Sequence, residues 1–193
     1  MNLILFQKDG IALRTHTLED APLLLRWLTD PAVLEWYEGR DNLYDAERIK
    51  EDFYEESENE TKGLIMYEER AIGYIQFYLL EDEEREDYGY AESPDRIYGM
   101  DQFIGETDCW NQGIGTRVIA AVADYLFEEG GTYKLVMDPQ VRNERALRVY
   151  EKNGFVRVKR MERREMHEGE LRDCWLIEKN RPQAQQSSRE HPS

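Results

Sequence analysis

Trp110-Asn111-Gln112-Gly113-Ile114-Gly115-Thr116 follows an apolar run, Ile97 to Gly105, and opens a long amphipathic segment. Two glycines one residue apart, placed where extended chain turns into helix, let backbone N–H groups converge on an anion. The dipole of the helix then favours its negative charge. The same spacing also serves as a plain turn or a close packing contact. The phosphate reading gains weight from a second stretch downstream, Asn143-Glu144-Arg145-Ala146-Leu147-Arg148-Val149-Tyr150-Glu151-Lys152-Asn153-Gly154-Phe155.

Together the two stretches resemble the GNAT superfamily of acyl-CoA-dependent N-acetyltransferases. The first is similar to its pyrophosphate loop, Q/R-x-x-G-x-G/A, and the second to its N-x-x-A-x-x-x-Y-x-x-x-G-F. Trp110 departs from the pattern, standing where Gln or Arg is usual. Backbone N–H groups hold most of a pyrophosphate, so the departure touches one side-chain contact. Tyr98 to Thr116, Asp138-Pro139, His167-Glu168-Gly169 and Asp173-Cys174 narrow the resemblance to the aminoglycoside 6′-N-acetyltransferases, with coverage from Ile11 to Glu178. The resemblance implies an α/β (α+β) fold: a mixed, mostly antiparallel sheet with helices on both faces and a splayed central strand pair. It also implies acetyl-CoA as cosubstrate, a cationic small-molecule acceptor and no metal.

Composition bounds the same answer independently. A chain of 193 residues fits one domain, here expected over 1–180, with 40% hydrophobic and 34% charged residues. No apolar run approaches the length of a bilayer span, and Met1 to Phe6 is too short for a signal-peptide core, which reads as cytoplasmic. Cys109 and Cys174 read as free thiols. His16, His167 and His191 are scattered without ligand spacing, so no metal site is expected. A net charge of −16 excludes nucleic acid and anionic membrane as partners and favours cations. Residues 81–87 carry six acids against one base, suited to a cationic acceptor, whereas 134–160 carry eight bases against three acids, suited to coenzyme phosphates. Each run taken alone also reads as a solvated face. Monomer and homodimer are equally compatible with the sequence.

Periodicity places the elements. Ile11 to Arg14 reads as a first strand, and Thr17 caps a helix whose inner face is Leu23, Leu24, Trp27 and Leu28, stopped by Pro31. Asp45 caps a second helix with Ile49 and Phe53 inward. Gly63–Tyr67 and Ala71–Tyr78 form a hairpin, and the acidic stretch through Asp95 is expected to be loop. The Ile97 strand precedes the glycine loop, whose helix buries Val118, Ile119, Val122, Leu126 and Phe127 and closes at Gly130-Gly131. Lys134–Met137 is a short buried strand; helix 143–153, a strand from Phe155 and a last strand, Cys174 to Ile177, follow. A polar, aperiodic tail over 181–193 is expected to be disordered.

The site residues follow from the residues and the resemblance together. The resemblance gives the strand Met100 to Gly105 an open side where the acyl-pantetheine arm pairs with backbone, so Gln102, Phe103 and Ile104 join Gln112, Gly113, Ile114, Gly115, Thr116 and Asn143 as coenzyme-binding residues. N–H groups of Gln102 or Ile104 would polarise the thioester carbonyl. Asp101 is an acid inside an apolar strand; by itself it reads as a strand-end residue bonded to a loop, and by resemblance as the base that takes the amine proton. Tyr150 reads as a core aromatic at helical spacing or, by resemblance, as the group that protonates the departing thiolate. Asn143 is both a helix cap and, by resemblance, a pantetheine contact. Trp36 and Tyr37, with Glu38, read as a wall over a sugar ring, and Trp36 equally as a core aromatic. Gln76 and Tyr78 alternate on one strand face as hydrogen-bonding partners for sugar hydroxyls; Asp138 reads as a turn residue before Pro139 or, by resemblance, as a contact to a substrate amine, and Asp173 and the acidic stretch as further contacts to amines. No activated nucleophile is present for a covalent relay. Two further readings stay open: a GNAT acylating another amine, in a polyamine, protein N-terminus or siderophore, and a non-catalytic acyl-CoA-binding module.

Overall fold

The computed structural model describes residues 2–129 and 131–183. Eight strands form one sheet in the order β1-β2-β3-β4-β5-β6-β8-β7. They are β1 Ile4–Lys8, β2 Ile11–Arg14, β3 Glu60–Tyr67, β4 Arg70–Leu79, β5 Ile97–Ile104, β6 Lys134–Met137, β7 Val156–His167 and β8 Glu170–Asn180. Every neighbouring pair is antiparallel except β5 and β6. The β3–β4 hairpin turns on Glu68 and Glu69, both at positive φ, a geometry that matches the twist of the strands it joins.

The helices are α1 Ala21–Trp27, α2 Pro31–Leu34, α3 Ala46–Tyr54, α4 Asp82–Tyr88, α5 Ile114–Glu128 and α6 Glu144–Lys152. Leu24, Trp27 and Leu28, with Ile49 and Phe53 of α3, pack on Leu64, Tyr74 and Phe103. The opposite face buries Val118, Ile119, Val122, Leu126 and Phe127 of α5 and Leu147 of α6 against Ile65, Ile75, Phe77 and Met100. The sheet is thus covered on both sides, as apolar strands of this composition require. Local signals place the helix starts: the Asp45 carboxylate accepts from the Arg48 N–H, and the Asn143 side chain accepts from the Ala146 N–H at 3.2 Å.

Three expectations need correction. The acidic stretch contains α4, not continuous loop: Glu81 and Glu84 form a capping box, Gly89 closes the helix in the left-handed region, and Tyr88 buries against Leu80, Ile97, Val136 and Leu176. Pro31 does not merely stop a helix; it occupies the first turn of α2, where its missing N–H has no consequence. A strand, β1, precedes the one expected first and pairs with it along the sheet edge. Gly130 and the expected tail beyond residue 183 lie outside the described residues. No helix among the described residues is long and apolar enough to cross a membrane.

One feature of the sheet positions the site. β5 pairs with β6 only through Ile97, Tyr98 and Gly99, whereas it pairs with β4 as far as Ile104. Beyond Gly99 the two parallel strands separate and leave one side of β5 open. The Gly105 N–H bonds to the Ile72 carbonyl. Alternation along an antiparallel pair therefore turns the odd residues of β5 toward β4 and the N–H groups of Gln102 and Ile104 into the opening.

Candidate active site

Two clefts meet at the opening between β5 and β6. The first, about 440 Å³, is bounded by β5, the glycine loop, the start of α5 and α6. The second, about 590 Å³, lies between the α2–α3 loop and α4, over Gln76, Tyr78 and Asp101. Trp36, Tyr37, Gln102, Asn143 and Tyr150 line both. A molecule in one cleft therefore reaches a molecule in the other at those five side chains.

The clefts carry opposite charge. Arg145, Arg148 and Lys152 line the first, with no acid. Glu38, Glu84, Asp101, Asp138 and Glu165 line the second, with Arg164 as its one base. An anionic chain suits the first and a polycation the second.

The glycine loop forms the far end of the first cleft. Gly113 caps α5 with φ of 78°, a left-handed conformation costly for other residues, and a Cβ there would meet no protein atom within 4 Å. A Cβ on Gly115 would make only an ordinary contact, 3.7 Å from the Ile104 side chain, and otherwise point into the cleft. The first-turn N–H groups of α5 have no intrahelical partner and face the same space. Two expected residues contribute no side chain here. Ile114 is buried in the core, and the Gln112 amide folds back onto the Asp108 carbonyl. Neither side chain lines the cleft.

Asp101 and Tyr150 face the junction from opposite sides of the sheet. The Gln76 amide donates to Asp101 at 3.1 Å. Burial pushes the Asp101 carboxyl up to about 6; the Gln76 amide pulls it down, nearby Asp138 pushes it up again, and the Tyr78 hydroxyl opposes that. At neutral pH it is a carboxylate of more than ordinary basicity. Tyr78 reaches this face by crossing β5 at Gly99, where a Cβ would lie 2.5 Å from its ring. On the other face the Gln102 amide donates to the Tyr150 hydroxyl oxygen at 2.7 Å, so the phenolic proton is left for another acceptor. Burial raises the Tyr150 hydroxyl to about 12, and it stays protonated throughout the neutral range.

Asp138 lies in the second cleft as expected, but it is already engaged: it accepts from the Tyr88 hydroxyl at 3.0 Å and from Arg164 at 3.1 Å. Asp173 is displaced from the site. It pairs with Arg160 at 2.6 Å and accepts from the Arg163 backbone, outside both clefts. A register shift in β7 between Met161 and Glu165 brings Arg164 and Glu165 to the cleft instead. Glu84 comes from the acidic stretch 81–87 expected to suit a cationic acceptor, whereas Tyr88, Gln140, Arg164 and Glu165 were not singled out in the sequence. Only the capping box and Gly89 of α4 carried a signal that places Glu84 and Tyr88.

Residues 16–163 match the acetyltransferase (GNAT) domain family. The chain belongs to the GNAT acetyltransferases. This GNAT chain is 27% identical, over 159 residues, to aminoglycoside N(6′)-acetyltransferase type 1 of Klebsiella pneumoniae, covering 81% of the chain and 79% of that protein. It superposes with a TM-score of 0.73 on AAC(6′)-Ib solved with ribostamycin and coenzyme A, at 27% identity, over 90% of this chain and 94% of that one. A spermidine N-acetyltransferase from Vibrio cholerae shares the fold, with a TM-score of 0.74 at 15% identity over 90% and 97% of the two chains.

Proposed function

We propose that this acetyltransferase carries acetyl from acetyl-CoA to the 6′-amine of an aminoglycoside in a ternary complex, acting in the cytoplasm and conferring resistance to the antibiotic. The observation that carries the reading is the junction: a basic cleft and an acidic cleft open onto each other beside a raised carboxylate and a protonated phenol. The similarity to the N(6′)-acetyltransferase of Klebsiella pneumoniae supports the choice of acceptor.

The acyl-pantetheine arm enters along the open side of β5. An ammonium has no lone pair, so the acceptor must present a neutral nitrogen; a carboxylate near 6 is a better proton acceptor than a solvated one near 4. The nitrogen attacks the thioester carbon, its proton passes to Asp101, and the oxyanion is held by the N–H of Gln102 or Ile104. Collapse breaks the carbon–sulfur bond. A thiol ordinarily titrates at about 8.5, well below the Tyr150 phenol at about 12, so complete transfer of the phenolic proton to sulfur is uphill. Tyr150 acts by donating a hydrogen bond to the leaving thiolate, and Gln102 sets its direction.

Asp101, Gln76, Tyr78, Trp36, Tyr37 and Asp138 form the acceptor site in this reading, and Asp173 is left out of it. A thiol-release assay with acetyl-CoA across ribostamycin, kanamycin, spermidine and a peptide amine tests the assignment. Turnover concentrated on the aminoglycosides supports it. Faster transfer to spermidine or the peptide transfers the reading to another amine, and coenzyme binding without turnover of any amine leaves a non-catalytic module.

A further inference from the structure

Arg145 is a cation without an acid. Its guanidinium, half-buried on α6, lines the basic cleft and makes no ion pair or side-chain hydrogen bond among the described residues. Its neighbour Arg142, by contrast, is held by the Gln140 side chain at 2.8 Å and the Glu35 carbonyl at 2.9 Å. Arg145 lies over an aromatic face instead: its central carbon is 4.1 Å from the centre of the Trp110 ring, with the Trp36 ring, which Arg142 approaches to 4.7 Å, further off at 5.9 Å. Burial disfavours its charge, and Glu35 offsets this only in part.

Trp110 occupies the position where the motif usually carries Gln or Arg. It cannot replace them directly, because its single donor, the indole N–H, is committed to the Ile104 carbonyl at 2.9 Å. That bond fixes the ring, and the ring fixes Arg145. Stacking covers the faces of a guanidinium and leaves its in-plane N–H donors free. A partly desolvated cation with free donors is stabilised by an anion that enters the cleft.

We infer that Arg145, held over the Trp110 ring, is the side-chain cation for the coenzyme's pyrophosphate, supplying from α6 the contact that Gln or Arg would supply from position 110. The inference rests on the coenzyme reading of the basic cleft. Trp110 is a positioning residue: it orders the guanidinium before the ligand arrives and touches no phosphate through a donor of its own.

Titration calorimetry with coenzyme A and 3′-dephospho-coenzyme A, together with turnover of S-acetylpantetheine, which has no phosphate, tests it. Arg145→Gln is expected to weaken both coenzymes alike, by about ten- to a hundredfold, as loss of a charged hydrogen bond does. Its kcat/KM with S-acetylpantetheine should match that of the unsubstituted protein. Trp110→Leu should lose much of the same affinity, Trp110→Phe, which keeps an aromatic face but gives up the bond to the Ile104 carbonyl, should lose less, and Trp110→Leu should add little in the Arg145→Gln background. Melting curves report whether each variant is folded. Coenzyme affinity of Arg145→Gln within twofold of the unsubstituted protein, a loss confined to the coenzyme bearing the 3′-phosphate, or independent losses at 110 and 145 would each overturn the inference. Failure of the unsubstituted protein to bind coenzyme A would instead remove the coenzyme reading beneath it.

Discussion

The Gln102 amide donates to the Tyr150 hydroxyl oxygen at 2.7 Å where the two clefts meet, and so leaves the phenolic proton for another acceptor. Gln102 is on β5 beyond Gly99, where the strand has parted from β6, and Tyr150 reaches it from α6. Tyr150→Phe keeps the ring and removes the donor. Turnover should fall by about ten- to a hundredfold, the worth of one hydrogen bond to a charged sulfur, with coenzyme affinity within a few-fold of the original. A change smaller than twofold in single-turnover rate would show that the thiolate leaves unaided.

Asp101→Asn removes the proposed base while keeping a hydrogen-bonding partner for Gln76. Turnover should drop by about 10²–10⁴-fold, and the acidic limb of the pH–rate profile, expected near pH 6, should disappear. The same variant has a stability signature. A carboxyl raised in the folded state from 3.8 to about 6 destabilises that state as pH rises through this window, because the folded protein binds the proton more tightly than the unfolded chain. The variant should therefore melt above the unsubstituted protein at pH 8, with the gain fading toward pH 4. A lower melting temperature at pH 8 would mean that Asp101 is a structural anchor.

Gly115→Val tests the pyrophosphate loop more cleanly than a change at Gly113, whose positive φ would itself strain any replacement. At Gly115 a Cβ meets only the Ile104 side chain at 3.7 Å, so the fold should persist while branched methyl groups fill the cleft. Calorimetry should show coenzyme affinity reduced at least tenfold, on the order of one blocked contact. Unaltered affinity would place the pyrophosphate elsewhere.

The glycine loop and helix α6 were legible because their signals are local: a glycine that must take positive φ, a cap bonded three residues on, and apolar spacing along one helix face. The α4 helix was obscured by its own charge. Six acids in seven residues read as solvated chain, and its one strong anchor, Tyr88, closes a core formed by Leu80, Ile97, Val136 and Leu176, residues distant in sequence. β1 was equally hidden, since Ile4–Lys8 is an exposed edge strand defined by pairing with β2. Asp173 was misplaced because a strand's facing residues depend on register, and the shift in β7 that brings Glu165 to the cleft has no sequence signature.

The acidic cleft makes a prediction about salt. Five carboxylates against one guanidinium should draw a polycationic acceptor, an attraction screened over about 8–10 Å at physiological ionic strength. The acceptor's KM should rise several-fold between low salt and 0.5 M (a concentration at which the Debye length is only about 4 Å), while kcat changes little. A KM independent of salt would deny the cleft a steering role.

The most direct test is the position of the acetyl group. Kanamycin or ribostamycin is incubated with acetyl-CoA and the protein, and the product is resolved by mass spectrometry and two-dimensional NMR. A single monoacetylated product carrying the acetyl on the 6′ nitrogen is expected, formed in step with thiol release and slowed by about 10²–10⁴-fold with Asp101→Asn. Acetyl on any other amine, or thiol release without an acetylated aminoglycoside, would contradict it.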